Sequence, residues 1–579
     1  MTEPADDVSP ARPARHGRVR DWAHILAAGL APGALAGTQL AGLLFFLNPG
    51  LPFRPVPVVR GILIYGGLLG LASLLLHLPS TWGRPRRARR WLPWGLTLAL
   101  LLAGLLDSTH ASYYAWYLPT GINDRLIRTS LWLGLAALIS FYTALLHSVH
   151  RRPYGIRSRA GLALLATLSV YAMLERREAF RPRPAAVPRP AAVEDRQRPR
   201  LLVVGLDSAT LDAILPLAGQ GRLPFLDTVL RGGAYGRLEA LSPPHRDAIW
   251  MTLATGKHPA EHGVTGTRIY RGDWIAPGST LQLLPRGIQF SEWGLFGSRP
   301  IEPRVYVRQA LTLWEILPRL GQPSGVIGWP AAAPSPELAF ALSDRSPRLQ
   351  AADADARRQA VALEALDEHP EVSAVFVAFP GLRAVSRRAF GGFAAVQFDG
   401  ARDPASVAAA EQIAADYREL DDFLAALWAR QEGQGPRVLV VVSPAGVERR
   451  GGPWNWLRGG TPELGGSLVE ASDGVLALYG EGIRPGALLT GARLVDLAPT
   501  LLYALGVPVA RDLDGQVLTA AFDRRFLASH PLTFFASYEA LKARSPTQPP
   551  SGPASVPRSL ASSPRGPSSR RPCRSRPRR

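Results

Sequence analysis

The chain has one cysteine in 579 residues, Cys573, so it can form neither an internal disulfide nor a cysteine metal site. Lysine is nearly absent: Lys257 and Lys542 are the only two among 66 basic residues. The rest are arginines, the usage of a bacterial chain from a GC-rich genome, in which individual arginines need not each have a role. Histidine runs out early. Only His369 and His530 follow His262, and neither stands at the C-terminal end of an apolar run. A pair of zinc ions of the usual kind has too few ligands there. The formal charge of +20 does not point to nucleic acid, because it gathers in membrane-flanking loops and in the tail while the middle of the chain is nearly balanced.

Charge is also scarce in five apolar stretches near the N-terminus: Ile25 to Leu47, Gly61 to Leu78, Trp91 to Leu106, Thr129 to Leu146 and Ala160 to Leu174. A hydrocarbon core takes about 20 apolar helical residues, so the first four read as membrane spans and the shorter fifth as a span or a buried soluble helix. The first has no small-residue cleavage site after it and reads as a retained span. Arg12, Arg15, Arg18 and Arg20 precede span one. Arg84, Arg86, Arg87, Arg89 and Arg90 lie between spans two and three, and Arg151, Arg152, Arg157 and Arg159 between four and five. The positive-inside rule puts these loops in the cytoplasm. Five spans then carry the following domain outside, into the periplasm of a bacterium with the spans in its inner membrane; four would leave it in the cytoplasm. His24, His77 and His147 are singletons near span ends and read as headgroup-level residues rather than ligands.

Composition divides the chain into a cytoplasmic segment (1–20), a transmembrane region (21–176), a proline- and arginine-rich linker (177–199), a globular domain (200–525) and a disordered basic tail (545–579). In the domain, short β-branched runs at Leu201–Leu206, Ser324–Trp329, Ala374–Phe379, Val438–Val442 and Val475–Tyr479 alternate with helical patterns, including one from Val407 to Glu432. That alternation predicts an α/β fold with a mostly parallel sheet and ligand-binding residues at the C-terminal strand ends.

Several separated pieces carry a family likeness. They are the apolar strand ending in Asp207; Pro243 to Gly263 with Trp250 and Thr255-Gly256-Lys257; Leu313-Trp314-Glu315-Ile316-Leu317 with Gly325 to Pro330; Gly482-Ile483-Arg484-Pro485-Gly486; and Val495 to Leu502 followed by Leu505-Gly506-Val507-Pro508 and Asp512-Leu513-Asp514-Gly515. In this order they resemble the alkaline phosphatase superfamily, in its type I phosphodiesterase and nucleotide pyrophosphatase branch. The resemblance implies a three-layer α/β domain. For an active member it also implies two divalent metals held by Asp and His around a Ser or Thr nucleophile.

Set against that pattern, the site is emptied. Asp207 keeps the strand-end ligand, read either as a residual metal ligand or as a helix N-cap, and Ser208 follows where the branch usually has Gly. Arg246 falls on the nucleophile position, and a guanidinium cannot attack phosphorus. Ser242 and Thr252 are out of register, and His262 matches a loop-shaping position. Arg383 and Arg387 stand where the branch has an Asp and a His, Pro444 and Ala445 where it has another such pair, and Ser467 where it has its last His. Two readings of the arginines stay open: an anion site of Arg246, Arg383 and Arg387, with Asp207 and Asp247 as partners, that binds phosphate or an anionic headgroup; or drift into ordinary ion pairs. The leading expectation is a membrane-anchored pseudoenzyme that binds or scaffolds and needs no cofactor. The alternatives are an active phosphoric ester hydrolase with two zinc-like metals and a membrane protein whose role lies in its spans.

Overall fold

A computed structural model describes residues 15–82, 85–174, 199–266, 268–285, 300–301, 308–332, 335–349, 354–450, 464–468 and 472–544. The first fourteen residues, the linker up to 198 and the tail from 545, with Cys573, lie outside them.

Five helices open the chain: α1 (Arg15–Leu47), α2 (Pro55–Thr81), α3 (Pro85–Tyr113), α4 (Thr120–Val149) and α5 (Ile156–Leu174). The first four are long and apolar enough to cross a membrane. Backbone contact replaces side-chain interlock between α1 and α2. A Cβ on Gly33 would lie 2.0 Å from the Leu69 carbonyl oxygen and one on Gly37 2.2 Å from that of Tyr65, so only glycine permits this approach.

The domain holds an eight-stranded sheet. Its strands are β1 (Arg200–Leu206), β2 (Ala234–Glu239), β6 (Ser324–Ile327), β7 (Phe340–Leu342), β8 (Ala374–Phe379), β9 (Arg437–Ser443), β12 (Gly474–Gly480) and β13 (Ala487–Arg493). Small ribbons supply the others: β3 (Ile269–Arg271), β4 (Thr280–Leu281) and β5 (Pro300–Ile301) in one, β10 (Glu448–Arg449) and β11 (Gly466–Ser467) in another. The main order is β13-β2-β12-β9-β1-β8-β6-β7. Only β12 runs antiparallel to its neighbours, so the sheet is mostly parallel. Alternate residues feed two cores. Leu201, Val203, Phe376 and Val440 face one layer, and Leu202, Val204, Val377 and Val441 face the other. The helix expected from Val407 to Glu432 runs over Pro404–Arg430.

The bundle and the domain share a core. Leu43, Phe46 and Leu47 of α1, with Tyr114, Tyr117, Leu118 and Ile122 around the α3–α4 turn, belong to the same buried cluster as Trp250, Trp314 and Val440. Asn48 fastens the joint. Its Nδ2 donates to the carbonyls of Leu44 (3.0 Å) and Leu283 (2.8 Å), and its Oδ1 accepts from the N–H groups of Gln282 (2.7 Å) and Leu283 (3.1 Å). A linker acting as a spacer is not needed to place the domain. Residues 526–544 also pack on the domain, beyond the boundary expected at 525: Phe526 and Tyr538 are buried in its core, and Glu539 pairs with Lys257 at 3.4 Å.

Candidate functional site

The C-terminal ends of the parallel strands meet the N-termini of two helices, Arg246–Thr255 and Gly381–Asp399. β1 delivers Asp207, whose N–H continues the ladder to the Phe379 carbonyl at 2.9 Å. Asp207 is not a helix cap: Thr210 caps α6 (Leu211–Gly219) through Asp212 N. Ser208 sits at φ 79°, a left-handed conformation that glycine adopts without strain and that accounts for the usual Gly there. The two following N–H groups are satisfied by Ser443 Oγ (3.0 Å from Ala209) and Tyr417 OH (3.1 Å from Thr210).

Arg246 is the first residue of the helix Arg246–Thr255, after the cap residue His245. A cation at a helix N-terminus is unfavourable by roughly 0.3–1 kcal/mol, and carboxylates offset it. Arg246 Nε donates to Asp207 Oδ2 at 2.7 Å, and its Nη1 lies 3.9 Å from both Asp247 and Asp344. Burial alone would lower the Arg246 pKa; the adjoining Asp207, with Asp247 and Asp344, raises it above its ordinary value instead. Arg383, likewise in the first turn of its helix, donates to Asp207 Oδ1 at 3.4 Å. The carboxylate is 3% exposed and the two guanidiniums 24% and 33%.

Asp207, Arg246, Arg383 and Asp247 therefore come together, and Arg387 does not. It lies a turn further along its helix, exposed, and makes no ion pair among the described residues. Ser467 sits in β11 opposite Glu448. Thr252 Oγ1 is spent on the Ala248 carbonyl (3.0 Å) and on His262 Nε2 (3.1 Å). His262 Nδ1 accepts from Val264 N (3.1 Å), so Nε2 carries the hydrogen. Complete burial, with His258 and Arg308 nearby, lowers this ring's pKa to about 3. His369 lies before β8, at the opposite ends of the strands, beside Phe340 and Glu371.

Three charged residues at the site escape a sequence reading. Asp344 follows β7 as Asp207 follows β1, which is the signal for it; burial raises its pKa. Arg358 is 3% exposed, 3.6 Å from Asp355, and burial lowers its pKa. Asp355 in turn accepts from Gly381 N at 2.8 Å, at the start of the helix that carries Arg383. Helical spacing alone would place both on a solvated face. The cluster thus interleaves guanidiniums (246, 358, 383) with carboxylates (207, 247, 344, 355), and Arg345 adds a further positive charge beside Asp344.

These residues do not fit a divalent pair. Both Asp207 oxygens are engaged by guanidinium groups, and among the described residues no three His, Cys, Asp or Glu side chains are grouped to hold a metal. What the arrangement can do is tie strand ends and helix starts together.

Residues 201–449 match the family model described as "Type I phosphodiesterase / nucleotide pyrophosphatase". Among solved structures, the chain is similar to BT4656 in complex with its substrate D-glucosamine-2-N,6-O-disulfate. Identity is 14%, over 56% of this chain and 80% of that one, with a TM-score of 0.36. No curated protein matches the chain.

Proposed function

We propose that the protein is a membrane-anchored, non-hydrolysing member of the alkaline phosphatase superfamily acting as a scaffold, on the premise of the match of residues 201–449 to the type I phosphodiesterase / nucleotide pyrophosphatase family model. The single observation behind this reading is the 2.7 Å bond from Arg246 to Asp207. The residue at the nucleophile position is a permanent cation without a nucleophilic lone pair, and it occupies the one ligand that remains. Scaffolding is favoured over anion binding by the carboxylates that already partner these guanidiniums. A phosphate held by Arg246 and Arg383 would lie against the carboxylates of Asp207, Asp247 and Asp344, which repel it.

The bundle supports an extracytoplasmic domain. The starts of α1, α3 and α5, with the arginine-rich connections, lie at one end, and the domain docks at the other through Asn48 and Tyr117. Trp22 and Trp82 meet edge to face at the arginine-rich end, 5.1 Å apart. From Trp91 to Tyr113 α3 rises roughly 33 Å, close to a hydrocarbon thickness, and the apolar part of α5 after Arg159 rises roughly 22 Å. Met173, near the end of α5, lies against Gly42 of α1, and both precede the domain-facing ends of their helices. A fifth pass therefore brings the chain to the docked side, which the positive-inside rule makes the outer face of a bacterial inner membrane.

The deciding experiment assays the purified full chain against chromogenic phosphomonoester and phosphodiester substrates with added zinc or manganese, alongside its metal content. No turnover above the buffer rate is expected. Turnover with stoichiometric bound metal would refute the proposal and favour an active phosphodiesterase.

A further inference from the structure

Between β3 and β4 the chain makes a closed turn whose tip is apolar. Gly272 N donates to Ser279 O (2.7 Å), Ile275 N to Gly272 O (2.8 Å) and Ser279 N to Ala276 O (3.0 Å). Asp273 accepts from Gly278 N (2.9 Å), and Gly278 takes φ 73°. The turn thus satisfies much of its own backbone while presenting Trp274, Ile275, Ala276 and Pro277, the condition for entering an apolar medium.

It does not point into water or into the domain; it runs down the side of the helix bundle. Ile275 is 1% exposed and packs in one cluster with Leu40, Ala41 and Leu44 of α1 and Tyr65 of α2. The Trp274 ring meets Tyr65 edge to face at 5.5 Å, and Arg60 Nη1 donates to the Ile275 carbonyl at 3.5 Å. Helix rise gives the depth. Leu40 lies eight residues below Asn48, about 12 Å along α1, and Tyr65 five residues below Arg60, about 7.5 Å along α2. Arg60 is the last charged residue before the stretch Gly61 to Leu78, which has none, so its guanidinium marks the headgroup level. The tip lies at and just below that level, and Pro277 faces outward from it.

We propose that residues 272–279 are a membrane-interface hairpin: part of the extramembrane domain seated at the headgroup–acyl boundary, held to the bundle by Trp274 and Ile275 and with Pro277 against lipid. Its partner is the bilayer itself, and the inference rests on α1 and α2 spanning that bilayer. The hairpin fixes the height of the domain above the membrane and keeps the site beside His245 close to the lipid surface.

The test uses the full chain with Cys573→Ser, reconstituted in phosphatidylethanolamine/phosphatidylglycerol nanodiscs and spin-labelled at Pro277→Cys. Accessibility to oxygen and to a water-soluble nickel chelate is compared with labels at Leu63→Cys on the outer face of α2 and at Glu432→Cys before β9, at the strand ends opposite the site. The oxygen-to-nickel ratio at 277 is expected several-fold above that at 432 and close to that at 63, with Ala276→Cys repeating the trend. A water-like ratio at 277 with a lipid-like ratio at 63 overturns the hairpin proposal alone, as does a label shielded from both reagents. A water-like ratio at 63 overturns the spanning reading beneath it.

Discussion

Replacing Asp207 by alanine removes one carboxylate and strands two arginines. If the cluster is a structural tie, that loss is large. Breaking a fully buried pair costs about 3–5 kcal/mol, whereas an exposed pair is worth roughly 0–1 kcal/mol. Here the carboxylate is buried and its partners are a quarter to a third exposed. The bond to Arg246 is short and that to Arg383 long, which places the expected loss between those limits, at about 2–3 kcal/mol. For a domain of this size that is a fall of roughly 4–10 °C in unfolding temperature. Asp207→Asn, which keeps an acceptor for Arg246, should lose about half as much. The double substitution Asp207→Leu with Arg246→Met should recover most of the loss, because removing both partners takes away the uncompensated charge. Thermal unfolding of the purified full chain reads all three. An Asp207→Ala protein that unfolds at the parent temperature would mean that the arginines are drifting surface charges, and the tie would have to be abandoned.

Three other perturbations probe the joint, the bundle and the buried ring. Asn48→Ala leaves the Gln282 and Leu283 N–H groups and the Leu283 carbonyl without their partner; the expected loss is about 2–4 kcal/mol, read as faster hydrogen exchange at 282–283 with little change in β1. Gly33→Leu cannot fit against the Leu69 carbonyl, so α1 should separate from α2 and the yield of folded protein fall sharply, while Gly67→Leu, in open space, should be tolerated; equal yields would remove the close-packing argument. His262 stays neutral in the fold until about pH 3 and takes up a proton near 6.5 when unfolded. Acid therefore favours the unfolded chain, and stability should fall by about 1.4 kcal/mol for each pH unit below roughly 6.5. His262→Gln should flatten that slope even though it is less stable at pH 7.

The sheet was legible because its central strands are buried on both faces and read as unbroken apolar runs: β1, β8 and β9 fall within a residue of the expected ends. β2 and β13 were not, because half of each faces outward and short alternation looks like loop. Arg246 and Arg383 could be placed because each keeps a fixed offset from a strand end or a preserved tryptophan. Arg387 shares that offset logic and still misses, since four residues carry it a turn along the helix, away from Asp207. Asp344, Asp355 and Arg358 join the site only through the third dimension. Asp107 and His110, both buried in α3 and apart from that site, are likewise passed over when the spans are scanned for charges.

The shared core changes how the membrane segment should be judged. An anchor on a flexible tether could be deleted without harm to the domain, and deletion would then separate a role of the spans from a role of the domain. Here Tyr117 donates to the Pro243 carbonyl and its ring lies 5.3 Å from that of His245, the residue before Arg246. Trp116 stacks on His258 at 4.4 Å and accepts from Ala260 N. A chain beginning at Arg200 would lose these contacts and expose the faces of Trp250's cluster that now meet α1 and the α3–α4 turn, an apolar surface prone to association. Deletion of the spans should therefore yield an aggregating or unstable domain whatever the role of either part. Point substitutions at Tyr117 or Asn48, which loosen the joint while leaving both cores covered, are the cleaner way to learn whether the bundle and the strand-end cluster act together.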